Sequence, residues 1–369
     1  MNRVSKTTEL VLRNIEEFRR HSLLVVDPPD SHSVTRLRAE CAGCRPAFLH
    51  RDYGVYKESL TASDDATSAT FDIGFSWPPQ GYDSVLIYLP KGKESLDMTL
   101  GLLAASARND VEVYLVGTNR AGIRSSAAVL SRWLEEATKL DSARHGAMFK
   151  ARCFAHETGA ASPQDWEQIW STSPRGIQLT AVSLPGVFSH GRLDAGTAYL
   201  LEHARLPASG RILDMGCGSG IVGAYAAAAC PESEVEMVDT SALAIASTRR
   251  TIEANGLKNA RCYASHSFGN VSGKFDLIIS NPPFHSGTDT DYRPTAQFIS
   301  ESARYLAPGG SLQLVANRFL PYQFILRDWF SRVEVLFENR RYRVYRAMEP
   351  TQRLQGSRVQ PRNRRGGAR

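Results

Sequence analysis

The sequence of 369 residues contains no apolar run approaching the roughly 18 consecutive residues that a membrane-spanning helix needs. Met1 to Arg20 is charged and amphipathic and lacks the apolar stretch of a secretory signal. Both absences lead to the expectation of a cytoplasmic chain with no membrane partner. Cysteine is scarce as well. Six in a chain this long do not build a disulfide scaffold, and Cys153, Cys217, Cys230 and Cys262 are isolated in sequence. Only Cys41-Ala42-Gly43-Cys44 has ligand spacing. It lacks both the second pair of a structural zinc site and the tryptophan and proline of a redox pair. The two thiols are therefore expected in a helix and its C-terminal turn, with no metal.

Acid is missing from one region. Residues 350–369 contain Arg353, Arg358, Arg362, Arg364, Arg365 and Arg369 and no carboxylate, so the whole net charge of +6 resides there and the remaining basic and acidic residues balance. An end such as Arg364-Arg365-Gly366-Gly367 is too polar to pack and suits loose, salt-sensitive contact with RNA phosphates. The competing reading is a solvated tail without a function. Just before it, Arg340, Arg341, Arg343 and Arg346 interleave with Tyr342 and Tyr345, as in a terminal strand with one basic face.

What is present is enough for two domains, with a hydrophobic share of 42% that is ordinary for a folded soluble protein. In the C-terminal half, strands and helices alternate. Arg211 to Asp214 and Val235 to Asp239 are apolar strands ending in acid, and Ile221 to Cys230 between them is alanine-rich and helical. Thr240 or Ser241 then caps a helix that stops at Asn255-Gly256. Asp276 to Ser280, Ser311 to Ala316, Val333 to Phe337 and Arg341 to Ala347 supply further strands. This alternation implies an α/β fold with a largely parallel sheet, helices on both faces and ligands at the strands' carboxyl ends.

The glycines specify the ligand. Gly216, Gly218 and Gly220 follow G-x-G-x-G spacing, whereas a dinucleotide fingerprint wants its third glycine where Ile221 stands. That favours S-adenosylmethionine (SAM) over NAD. Side chains must be absent where the backbone passes under the cofactor. Asp239, at the end of the second strand, offers a carboxylate to both ribose hydroxyls. Asn281-Pro282-Pro283-Phe284 follows the strand ending at Ser280. An asparagine held before two prolines sits on a stiff, extended backbone, where its amide oxygen and the Pro282 carbonyl can each accept a proton of an amine. The nitrogen lone pair then points at the methyl-sulfonium, and catalysis is mainly positioning. Phe284 offers a face on which a flipped base could stack. His285 is a neighbour of this loop.

Those segments, with Leu184-Pro185-Gly186-Val187-Phe188-Ser189, Leu193-Asp194, Val315-Ala316-Asn317 and Phe319-Leu320, resemble the RsmC/RlmG family of ribosomal RNA guanine-N2 methyltransferases. They look most like the branch acting on small-subunit (16S) RNA. Pro90-Lys91, Asn119 to Arg124 and Leu140 to Arg144 are similar too, so the resemblance runs to about residue 349 and omits the tail. It implies two tandem Rossmann-like class I SAM-dependent methyltransferase domains, the first degenerate. The implied boundaries are 1–175 for the degenerate domain, 176–349 for the catalytic domain and 350–369 for a basic disordered tail. The resemblance also implies Asn281, Pro282, Pro283 and Phe284 as catalytic residues. The implied cofactor set is Asp214, Gly216, Cys217, Gly218, Gly220, Asp239, Thr240, Ser265, His266 and Phe188. The partner is 16S rRNA or the assembled small subunit, and a monomer is favoured.

Traces of duplication are independent of the resemblance. Tyr82 to Pro90 matches Phe275 to Pro283 without a gap, putting Tyr88 where Asn281 stands, and Val116 to Arg120 echoes Leu314 to Arg318. Leu23 to Asp27 corresponds to the strand ending at Asp214, but Pro28-Pro29 replaces the glycines and offers neither space nor an amide proton. The first domain is therefore expected to be catalytically dead. Asp27-Pro28-Pro29-Asp30 lacks the aromatic fourth residue of a second catalytic motif. RNA docking or support of the catalytic domain suits this half better, with Lys91, Lys93, Arg120 and Arg124 as candidate phosphate contacts. Three other functions fit the motifs: a 23S rRNA guanine-N2 methyltransferase, a protein-glutamine N5-methyltransferase, and a non-enzymatic RNA-binding or ribosome-assembly factor.

Overall fold

The computed structural model describes residues 4–18, 22–44, 46–61, 68–75, 81–107, 110–153, 161–282 and 293–351. The first half runs α1 (Lys6–Arg13), β1 (Leu23–Val26), α2 (Ser31–Glu40), β2 (Ala47–His50), α3 (Tyr53–Thr61), β3 (Ala69–Phe71), β4 (Ser84–Tyr88), α4 (Lys93–Ser106), β5 (Val111–Thr118), α5 (Ala127–Trp133), β6 (Glu135–Ala143) and β7 (Gly146–Cys153). A hairpin of β8 (Gln168–Thr172) and β9 (Leu179–Ser183) leads into the second half. There follow α6 (Ala195–His203), β10 (Gly210–Met215), α7 (Ile221–Ala229), β11 (Ser233–Asp239), α8 (Ala242–Ala254), β12 (Ala260–Ala264) and β13 (Phe275–Ser280). The chain continues with α9 (Arg293–Tyr305), β14 (Leu306–Asn317), α10 (Tyr322–Trp329), β15 (Phe330–Glu338) and β16 (Tyr342–Pro350).

Each half forms a seven-stranded sheet, and the two have the same topology: β3-β2-β1-β4-β5-β7-β6 and β12-β11-β10-β13-β14-β16-β15. The first five strands of each are parallel and the last two antiparallel. Central strands such as Leu23–Val26 and Ser84–Tyr88 are buried along their whole length, because helices cover both faces; their residues form apolar runs rather than alternating patterns. The expected strands and the Ser241-capped helix are all found, with the Ser241 hydroxyl accepting the Ala244 N–H. Cys41 caps the end of α2 and Cys44 follows in a short 3-10 turn, its thiol donating to the Phe18 carbonyl.

Hydrogen bonds at the strand ends align the two halves residue by residue. Asp27 N–H donates to Leu49 O as Gly216 N–H does to Val238 O, both at 2.8 Å, and Asp72 N–H donates to His50 O as Ser265 N–H does to Asp239 O. Asp27 is thus the counterpart of Gly216, and Val25 that of Asp214, which corrects the expectation that the two acids correspond. Asn119 N–H donates to His145 O as Arg318 N–H does to Arg341 O. Val116 therefore matches Val315, so the echo with Leu314 is one residue out of register. The match of Tyr88 with Asn281 stands, since Val26 faces Ile87 and Asp214 faces Ile279.

The halves meet through equivalent residues. Asp52 and Ser241 form an antiparallel bridge, flanked by Tyr53 N–H to Thr240 O (2.8 Å) and Ala242 N–H to Arg51 O (2.9 Å). Arg51 is the counterpart of Thr240 and Tyr53 that of Ala242, so the contact is self-complementary like an isologous dimer interface within one chain. Leu184, Val187, Leu243 and Ala244 of the second half complete the core of the first. The β8–β9 hairpin hydrogen-bonds to α8, Val182 N–H donating to Thr251 Oγ1, and it spans the boundary expected between residues 175 and 176.

Candidate active site

The carboxyl edge of the second sheet gathers the expected loops. After β10 the chain turns through Gly216, Gly218 and Gly220, all at positive φ (73°, 57° and 79°). A Cβ at Gly216 would meet nothing within 4 Å and one at Gly218 only Val187 at 3.9 Å, so the loop borders open space. Gly220 is needed for packing instead: a Cβ there would stand 2.8 Å from Thr248 of α8. Asp214 is buried, and its Oδ2 accepts the Gly223 N–H at 2.8 Å, fastening the loop to the start of α7. Burial pushes its carboxyl up to about 7. Cys217 turns its thiol into the core beside Thr248, and burial holds that thiol neutral, well above its ordinary range.

Asp239 joins the glycine loop to the start of α8. Its Oδ2 accepts the Gly218 N–H at 3.0 Å and its Oδ1 the Ser241 N–H at 2.9 Å, leaving further lone pairs for a ligand. Burial raises its pKa, partly offset by these backbone donors. The Thr240 hydroxyl is buried with no partner among the described residues. Ser265 is buried and spans its own loop, donating to Ser267 O and accepting the Asn270 N–H. His266 and Phe188 are exposed, Phe188 on the segment whose Val187 lies over Gly218. An open volume over glycines, an acid at the second strand end and an orphaned hydroxyl fit a ribose-bearing cofactor such as SAM.

Asn281 stands at the end of β13, next to the glycine loop because Ser280 Oγ donates to Met215 O at 2.7 Å. Its Nδ2 donates to Thr197 Oγ1 (2.8 Å) and to Asp194 Oδ2 (3.2 Å). A carboxylate only accepts, so the amide must turn its nitrogen toward Asp194. Oδ1 is then buried with no partner among the described residues. Such an acceptor is costly to leave unmet and waits for a donor. Pro282 is buried beside it; Pro283, Phe284 and His285 lie outside the described residues.

Asp194 and Thr197 were not singled out as site residues by sequence reasoning. Asp194 is the N-cap of α6, accepting the Thr197 N–H at 2.9 Å. An acid three residues before a threonine at a helix start was visible, but its pairing with a residue 87 positions downstream was not.

The same two sites in the first half are filled by its own side chains. Tyr88, counterpart of Asn281, is buried and shares a 2.9 Å hydrogen bond with Thr8, and Ser5 caps that helix as Asp194 caps α6. Where the cofactor loops would meet, the Arg51 guanidinium bonds to Asp27 (3.1 Å), Thr99 (2.7 Å) and Ile73 O (3.1 Å). His50 occupies the position of Asp239, its ring nitrogens unpartnered among the described residues and its pKa lowered to about 4 by burial. Of the expected basic face of the last strand, Arg343 pairs with Glu338 and Arg346 with Glu334, while Arg340 and Arg341 have no carboxylate partner among the described residues.

Residues 178–346 match the family model "Methyltransferase small domain" and residues 8–170 "Methyltransferase small domain N-terminal". Ribosomal RNA small subunit methyltransferase C of Pseudoalteromonas atlantica is 35% identical over 346 residues, spanning 93% of this chain and 98% of that protein. The chain belongs to the ribosomal RNA small subunit methyltransferase C family. The Shewanella loihica member is 36% identical with 93% and 98% covered, and that of Hahella chejuensis 40% identical over 72% of this chain and 78% of its own. The solved T. thermophilus RsmC, a 16S rRNA N2 methyltransferase in complex with AdoMet and guanosine, shares the tandem fold. Its TM-score is 0.78 at 24% identity, with 94% of this chain and 92% of that chain covered.

Proposed function

We infer that this protein is a SAM-dependent RNA methyltransferase that methylates the exocyclic N2 of a guanine in 16S rRNA. The observation that carries this reading is Asn281, an amide whose nitrogen is tied down by Thr197 and Asp194 and whose buried oxygen has no partner among the described residues. An exocyclic amine supplies the missing donor. Membership of the small subunit methyltransferase C family directs the choice to guanine in small-subunit RNA.

Asn281 Oδ1 and the Pro282 carbonyl each accept one proton of the amine, which fixes the plane of the base and directs the nitrogen lone pair. SAM, when bound, supplies an electrophilic methyl group on sulfur. The residues that hold the amine would need no strong base, because solvent would take the proton that the methylated nitrogen gives up. Asp239 and Thr240 would hold the ribose, with Gly216 and Gly218 beneath the cofactor and Ser265, His266 and Phe188 at its edge. Asp214 and Cys217 would shape the loop through backbone and core contacts. Phe284 would stack on the flipped base. Residues 176–349 act as the catalytic domain, 1–175 as docking and support, and 350–369 as a loose RNA contact, in the cytoplasm.

Labelled SAM incubated with protein-free 16S rRNA, assembled small subunits, 23S rRNA and glutamine-bearing peptides tests the reading. N2-methylguanine at one position of 16S RNA is expected, with one SAM site per chain by calorimetry. Label on 23S RNA or on a peptide amide, or no transfer at all, would contradict it.

A further inference from the structure

Beyond the acceptor site, the same edge of the second sheet carries a cleft of about 570 Å³ lined by Asn317, Arg318, Phe319, Arg340 and Arg341. Asn317 to Phe319 leave the carboxyl end of β14, and Arg340 and Arg341 form the turn between β15 and β16, tied to it by Arg318 N–H to Arg341 O at 2.7 Å. Phe319 is 73% exposed, so its ring face is open to a ligand. Arg318 pairs with Glu338. Arg340 and Arg341 have no carboxylate partner among the described residues, and the Arg341 guanidinium lies over the Tyr342 ring. Two guanidiniums without a carboxylate partner among the described residues, an exposed aromatic face and the Asn317 amide converge on one concavity.

The cleft is next to the acceptor site. Asn281 contacts Asp194, and Gly196 is wedged between the Asp194 carboxylate and the Tyr342 ring, which a Cβ there would approach to 3.2 Å. Tyr342 in turn pairs with Asn317 across β14 and β16.

We propose that this cleft binds a nucleotide of the RNA strand flanking the target guanine, with its base stacked on Phe319 and its phosphates held by Arg340 and Arg341. The proposal rests on the reading of the protein as an RNA methyltransferase. Stacking on an aromatic face tolerates any base, and guanidiniums see only phosphate, so the cleft grips the strand while Asn281 selects the amine. An RNA whose base is turned out of its helix needs its neighbours held in this way.

The test is binding of the full-length protein to protein-free 16S rRNA over a salt series, with methyl incorporation followed in parallel. The Arg340→Ala/Arg341→Ala double variant is expected to bind at least about tenfold more weakly. It should also reduce the slope of log K against log salt by about 1.5, the release expected from two phosphates. Phe319→Ala should weaken binding about fivefold or more with the slope unchanged, and Phe319→Trp should restore it. SAM affinity, unchanged in all three, shows that the variants fold. Parental affinity and slope in the variants would overturn the proposal. So would a defect seen only on assembled subunits, which would indicate an acidic ribosomal protein as the partner. Absence of methyl transfer by the parent protein would instead count against the functional reading, while the binding isotherms still judge the cleft.

Discussion

The role proposed for Asn281 depends on the two groups that fix its nitrogen. With Nδ2 held by Thr197 and Asp194, the orientation of the amide is set before any amine arrives, and Oδ1 would meet it at no further ordering cost. Asn281→Ala is therefore expected to lower single-turnover methyl transfer about a thousandfold while SAM affinity changes by no more than about twofold. Thr197→Val removes the shorter of the two bonds that hold the amide and leaves only Asp194, so kcat should fall about tenfold to a hundredfold with KM for SAM unchanged, and Thr197→Ser should recover most of it. Near-parental turnover in Asn281→Ala would rule out the mechanism. Asp214 makes a different statement, about stability. Its carboxyl is pushed from an ordinary 3.8 up to about 7 by burial. Below about pH 4 both the folded and the unfolded states hold the proton. Between there and about pH 7 the unfolded chain ionises while the fold does not, so stability falls with rising pH until the penalty levels off. Asp214→Asn keeps an acceptor for the Gly223 N–H and removes the ionisation. The melting temperature of the cofactor-free protein should thus fall less steeply from pH 4 to 7 in the variant than in the parent; parallel curves would show that Asp214 is not the group responsible.

At the scale of elements, the second sheet was legible because its strands end in chemically marked residues: Asp214 before the glycines, Asp239, and Asn281 before the prolines. The gapless match of Tyr88 to Asn281 was legible for the same reason, since an Asp and a Pro flank both. The echo around Val116 went astray by one residue because a run of apolar residues looks alike in either register, and only the hydrogen bonds to β7 and β16 fix it. Proline in place of glycine gave one reason to expect no cofactor in the first domain. The larger reason, Arg51 and Asp27 packed into the vacated cradle, joins residues from two strand ends and α4 that no local pattern connects. The self-complementary contact of Asp52 with Ser241 was likewise invisible, yet it puts the start of α3 against the loops proposed to hold SAM. Tyr53 OH accepts from Asn270, and a Cβ on Gly54 would stand 2.6 Å from His266 Nδ1. Gly54→Val must push aside His266 and crowd the Asp52 carboxylate, which a Cβ would approach to 3.1 Å. About tenfold weaker SAM binding by calorimetry, with RNA affinity unchanged, is the expected result, and unchanged SAM affinity would mean that the first half does not shape the cofactor site.

On the scale of the whole molecule, the two copies differ at equivalent positions: in one the glycine loop borders open space and the Asn281 amide oxygen has no partner among the described residues, and in the other both positions hold its own side chains. RNA grip then has to come from surfaces outside the acceptor pocket, and the tail is where uncompensated charge concentrates. Strand β16 runs to Pro350, and the Thr351 N–H donates to Trp329 O at 2.9 Å, so the packed structure extends to residue 351. A truncation meant to spare the fold should accordingly remove 352–369, which still takes away all six arginines of the acid-free stretch. Arginines in a polar, acid-free stretch neutralise phosphates without reading bases. Every phosphate that the shortened chain leaves unneutralised should flatten log K against log salt by about 0.7 to 0.9, so the truncated protein should bind 16S RNA more weakly at low salt and converge on the full chain as salt rises. The methylated nucleotide should stay the same, because the amine is selected at Asn281 in the proposed mechanism and arginines that meet only phosphate carry no base choice. A changed site of methylation, mapped by primer extension, would refute this division, and identical affinity across the salt series would show that the tail is a solvated extension that the RNA does not use.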